Sequence, residues 1–166
     1  MERNSCVGKT SIVKFFFINL VGVFGVWSAF SNAAEYSDYP VHKISTNKVP
    51  KIEYAGNPDA RAFRTKLQDA VGHSANFAGS FRVISWGGGT MAERTALVDV
   101  KTGKVFLAPF TAALGVQYRL NSRLMLENDP TEVSSYIKDH EGVKPEWLRT
   151  TYWLWDLEKE CFIELK

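Results

Sequence analysis

The sequence predicts an α+β domain: a single antiparallel β-meander sheet with one N-terminal amphipathic helix packed on it. Three observations carry this expectation. Phe81, Val83 and Ser85 alternate with Arg82, Ile84 and Trp86, and after Gly87, Gly88 and Gly89 the same two-residue period resumes from Thr95 to Val100. A second hairpin follows, in which Asp99 opens a turn through Lys101 and Thr102 and Gly103 takes the positive φ that returns Val105 to register. Ahead of both, Asn57-Pro58-Asp59 reads as a helix start, and Phe63, Leu67, Ala70 and Val71 recur at helical spacing until Gly72 stops them. That helix is expected to run about four turns.

Three segments divide the chain. Residues 1–33 read as a signal peptide: Arg3, Lys9 and Lys14 precede an apolar run, and Ser31 and Ala33 place small residues at a cleavage site. The run from Phe15 to Phe30 is 16 residues long, short of the roughly 20 that span a bilayer as a helix, and an uncleaved anchor is the alternative. Residues 34–56 form an extended lead-in arm, with Pro40 and Pro50 flanking one short edge strand around Val41 to Ile44. Residues 57–166 are the single α+β domain.

Within that domain a small-residue bend after Pro109-Phe110 leads to a third hairpin across Asn121-Ser122. Val116, Tyr118 and Leu120 are expected on one side of it, with Leu124 and Leu126 on the matching side of the partner strand. Asp129-Pro130-Thr131-Glu132 starts a second, short helix through Lys138, and residues 139–146 form a surface loop. The terminal hairpin turns at Leu157 to Glu160. Its first strand carries Tyr152, Leu154 and Asp156 on one face and Thr151, Trp153 and Trp155 on the other, which places it centrally in the sheet. Hairpins of this form resemble the units of β-propeller blades. The residues after Ala33 are too few to close a ring of at least about four blades of roughly 40 residues each.

Composition narrows the function. The chain of 166 residues carries 20 basic and 18 acidic groups, and removing the leader's three basic residues and Glu2 leaves seventeen of each. A neutral domain without a basic run argues against nucleic acid. Cys6 departs with the leader, so Cys161 is expected to be a lone thiol, buried in a terminal strand. Gly8-Lys9-Thr10-Ser11 lacks the first glycine and the preceding strand of a phosphate loop. His42, His73 and His140 offer no metal-ligand spacing, and no cofactor motif is present.

A closer resemblance runs from about Tyr39 to the C-terminus. It rests on Asn76-Phe77-Ala78-Gly79, Trp86-Gly87, Val98-Asp99, Thr102-Gly103, Pro109-Phe110 and Ser122-Arg123-Leu124. The pattern is similar to a family of exported bacterial proteins of unassigned activity. In that family the loop usually carries cysteines where this chain has Gly88 and Ala92, so the resemblance implies compartment and fold but no cysteine chemistry.

These readings converge on a periplasmic or secreted protein-interaction module of inhibitor, immunity or accessory type, with another envelope or extracellular protein as its partner. Its expected contact surface is a sheet edge or the glycine loop, with Trp86, Gly87, Gly88, Gly89, Thr90 and His73 as binding residues. No catalytic residue is assigned. The alternatives are a small hydrolase, using His73 as base with Ser74, Ser80 or Ser85 and oriented by Asp99, and a carrier of a small apolar ligand. Glu93 and Asp99 form a glycosidase pair on paper only, because the turn already accounts for Asp99.

Overall fold

The computed structural model describes residues 34–55, 57–87 and 91–166. The leader, with the cleavage site read into it, lies outside these residues. The domain mixes helix and strand and forms two antiparallel sheets, neither of them closed into a barrel. The first sheet holds β1 (Phe81–Gly87), β2 (Glu93–Asp99) and β3 (Val105–Ala112) in that order. The second holds β4 (Val116–Tyr118), β5 (Leu124–Glu127), β6 (Thr151–Asp156) and β7 (Cys161–Leu165). The expected single sheet is therefore two.

The break falls between β3 and β4, and a buried side chain holds it. Asn128 Oδ1 accepts from the amides of Ala113 and Leu114 at 2.7 and 2.9 Å, while its Nδ2 donates to the Arg149 carbonyl at 3.0 Å. A bend whose amides are satisfied from 14 residues away need not continue as a hairpin. The chain crosses instead to a second layer.

Strand periodicity then sorts the core. Phe81, Val83, Leu97 and Phe106 leave one face of the first sheet and meet Met125, Trp153, Trp155 and Phe162 from the second. Ile84, Ala96, Val98 and Val105 leave the opposite face and pack with Val49, Ala60, Leu67 and Ala70. The first sheet is thus the middle layer, buried on both sides, which explains the near-continuous burial of residues 95–98 in β2. β6 lies between β5 and β7, as its two bulky faces predict.

The helical layer is less regular than expected. A 3₁₀ segment Pro58–Phe63, an α-helical turn α1 (Arg64–Leu67) and a 3₁₀ turn Gln68–Ala70 replace one continuous helix of four turns. So short a segment closes few four-residue hydrogen bonds, and three-residue bonding takes over at both ends. Asn57 does cap its start, accepting from Ala60 N at 3.2 Å. The second helix, α2 (Pro130–Asp139), begins where the sequence places it, with Asp129 Oδ1 accepting from Thr131 N at 2.6 Å.

Three further expectations change. The arm forms no strand at Val41 to Ile44. It is pinned by single bridges, Pro40 to Ser122, Lys48 to Ser74 and Glu53 to Lys104, because its backbone meets turns and not a strand edge. In the third hairpin Tyr118 pairs with Met125 and Gln117 with Leu126, so Leu124 and Leu126 face away from Val116 and Tyr118. One residue of register moves every side chain to the other face, and here Ser122, bridged to the arm, lengthens the connection. Cys161 is disulfide-bonded, in place of the lone thiol expected, and Cys6 lies outside the described residues.

Candidate functional site

Of the residues expected to bind, Trp86, Gly87 and His73 are described. Trp86 is half-buried on the helical face of β1, with its ring centroid 4.9 Å from that of Phe63 at a 42° tilt. The Arg94 guanidinium covers the Phe63 ring at 5.3 Å. This stack fastens the helical segment to the first sheet, so Trp86 is a packing residue in the described structure and not an open anchor. Gly87 is exposed at the end of β1, paired with Glu93. Gly88, Gly89 and Thr90 lie outside the described residues.

His73 is exposed beyond the helical segment, and its backbone ties that segment to the arm. Its N–H donates to the Ala70 carbonyl at 3.1 Å and its carbonyl accepts from Val49 at 3.0 Å. Two of the three hydroxyl partners proposed for it, Ser80 and Ser85, go elsewhere. Ser85 Oγ lies 3.2 Å from Thr95 Oγ1, and Ser80 lines a groove in which His42, not His73, is the histidine. Asp99 also lines that groove, but its Oδ1 accepts from Lys101 N, Thr102 N and Thr102 Oγ1 at 2.8, 2.7 and 3.0 Å. The turn reading of Asp99 accounts for its carboxylate. Among the described residues no group of three or more His, Cys, Asp or Glu side chains is placed to hold a metal.

What remains is the β1 edge of the first sheet, whose other edge, β3, carries Pro109. The parity of β1 follows from its bonds: Phe81 N donates to Phe77 O at 3.0 Å and Val83 N to Asn76 Oδ1 at 2.7 Å, both away from β2. The odd-numbered residues therefore turn their backbone outward and the even-numbered ones bond β2. Asn76 covers only the first half of this edge. From the Val83 carbonyl through Ser85 to the Gly87 amide, the outward groups have no partner among the described residues. Ser85 is exposed, and Arg82 is the one charged residue of the strand. By contrast, β4 is three residues long and β7 ends in Glu164 and Leu165 with Lys166 beyond, devices that discourage pairing.

Beside this edge Asn76 Nδ2 donates to the Tyr118 hydroxyl at 3.2 Å. Burial pushes the Tyr118 phenol up, partly offset by the Arg82 charge. Burial likewise raises Tyr36 to about 12, against the Arg119 guanidinium 4.4 Å from its ring. Burial also holds the Glu127 carboxyl above the ordinary range, opposed by the Trp153 indole N–H that donates to it at 2.9 Å.

The folded state holds the Glu127 proton more tightly than the unfolded chain does. Its contribution to stability therefore falls as pH rises from the ordinary glutamate range through the raised folded value. Glu127→Gln is expected to flatten the fall of Tm as pH rises above the ordinary glutamate pKa of about 4.3, read by thermal melts at fixed ionic strength. An unchanged slope would place the source elsewhere.

Sequence reasoning pointed to a sheet edge without naming β1, and it missed the groove's cations, because only the folded arm brings them to the Asp99 turn. No family model, curated protein or solved structure matches this chain.

Proposed function

We propose that this is an exported bacterial protein-interaction module that takes an extended partner segment along the open half of β1. The single observation that supports this is the run of outward backbone groups from Val83 to Gly87, unpaired among the described residues and lacking proline, lysine or acidic side chains. A strand laid against it gains main-chain hydrogen bonds at alternate residues, the commonest use of such an edge in peptide recognition. On this reading the domain acts in the periplasm or outside the cell as an inhibitor, immunity or accessory protein. Gly87, which has no Cβ, lets the end of this edge meet the partner's backbone closely.

Ser85→Pro tests the edge directly. Position 85 bonds outward, so proline removes the offered N–H and the 3.2 Å contact of Ser85 Oγ with Thr95 Oγ1 but no backbone β1–β2 hydrogen bond. The expected result is loss of at least about tenfold in affinity for the partner captured by the wild type from the cell envelope, with the cooperative melt retained. Amide exchange in the complex should also show Ser85 and Gly87 newly protected. Capture that is unchanged in the proline variant, or a wild-type complex in which the Ser85 and Gly87 amides still exchange freely, rejects the edge.

A further inference from the structure

A groove of about 730 Å³ runs between the arm and the two sheets, within the size range of small-molecule sites. Its position is fixed by backbone. Val41 N donates to Asn121 O at 3.0 Å and Ser45 N to Gly79 O at 2.7 Å, so the arm is held on both sides of His42 and Lys43. The seat is tight: a Cβ on Gly79 would stand 2.3 Å from the Lys43 carbonyl oxygen. Val41, Ala78 and Leu157 supply apolar wall.

The charge of the lining is one-sided. Lys43 comes from the arm, Lys101 from the turn of the first sheet and Arg123 from the start of β5, against the single carboxylate of Asp99. None of the three cations makes a salt bridge among the described residues. Asp99 Oδ1 is committed to its own turn, as above. Asp156, whose carboxyl is held below the ordinary range first by the Lys159 backbone amide and least by the Arg123 charge, accepts at Oδ1 from Glu158 N and Lys159 N at 2.9 and 3.0 Å. Arg123 itself makes one long bond, Nη1 to the Trp155 carbonyl at 3.4 Å, which leaves most of its donors free for a ligand.

Three cations from three separate elements around an apolar-walled groove suit an anionic head group carried on an apolar body. We propose that this groove binds a small amphipathic anion, a phosphate or carboxylate bearing a short acyl or alkyl chain. Lys43, Lys101 and Arg123 take the head, and Val41, Ala78 and Leu157 take the chain. This site is separate from the β1 edge and does not depend on it.

Isothermal titration of the full chain with octyl phosphate, octanoate, inorganic phosphate and octanol tests the proposal. Octyl phosphate or octanoate should bind saturably, whereas inorganic phosphate and octanol, each lacking one half, should bind at least about tenfold more weakly. Whichever of the two amphiphiles binds more tightly identifies the head group. Lys43→Glu with Lys101→Glu, both exposed positions, should weaken binding about tenfold or more without changing the melt. Arg123→Gln should do the same. No saturable binding of either amphiphile, octanol binding as tightly as both, or unchanged affinity in the double variant would overturn the assignment.

Discussion

Trp155→Ala is expected to lower the stability of the domain by about 3–5 kcal/mol, the largest single-residue effect in the molecule. Trp155 is fully buried where the two sheets meet. Its ring lies 5.2 Å from Phe81, 5.2 Å from Phe106 and 5.0 Å from Phe162, each at a steep angle that sets ring edge against ring face. Truncation removes these contacts from both layers at once, and the strands around it cannot close the space without shifting register.

The indole N–H of Trp155 is buried without a hydrogen-bond partner among the described residues. An orphaned donor costs about 1–3 kcal/mol, so Trp155→Phe loses volume but relieves that penalty. Urea unfolding should therefore rank wild type and Trp155→Phe close together and Trp155→Ala far below. An alanine variant within about 1 kcal/mol of wild type would mean that the sheets are not joined through this residue.

Gly103→Ala should cost about 2–4 kcal/mol, by a different route. Gly103 has φ +76°, and a Cβ there would lie 1.7 Å from the Lys51 carbonyl oxygen, an overlap with backbone that no rotamer relieves. The arm would have to lift, breaking the 2.8 Å bond from Glu53 N to the Gly103 carbonyl. Gly72 is the internal control, since its φ is +81° but nothing stands within 4 Å of its Cβ position. Gly72→Ala should cost only about 1 kcal/mol of conformational strain. Equal losses at the two positions, measured by the same urea titration, would show that arm contact contributes nothing.

Local chemistry was legible wherever a residue's partner lies within a few positions. Asp99 and Gly103 announce their turn, Asn57 and Asp129 their caps, and the two bulky faces of β6 its central place. Organisation decided at long range was not. Nothing near Ala113 and Leu114 shows that Asn128 will satisfy their amides, and so the meander reads as one sheet where the molecule builds two. The slipped register of β4 has the same origin, because Ser122 answers to Tyr36 and Tyr39, more than 80 positions upstream.

The candidate sites follow this division. An open sheet edge is foreseeable from any meander, but choosing β1 required knowing that Asn76 shields only its first half. Trp86 looked like an anchor because tryptophan favours interfaces. The strand's even parity instead aims it at Phe63, whose position was set by the helical segment. Lys43, Lys101 and Arg123 stand far apart in sequence and converge only through the fold.

The arm reaches turns of both sheets, Gly79 and Gly103 in the first and Asn121 in the second. The strap's bonds on either side of Lys43 belong to different sheets, Val41 N to Asn121 O and Ser45 N to Gly79 O, so undoing either layer costs it a bond. Closing so long a loop adds little entropy cost beyond that of a shorter one. The arm thus behaves as a cooperativity device: it makes two small meanders, each marginal alone, melt as one unit.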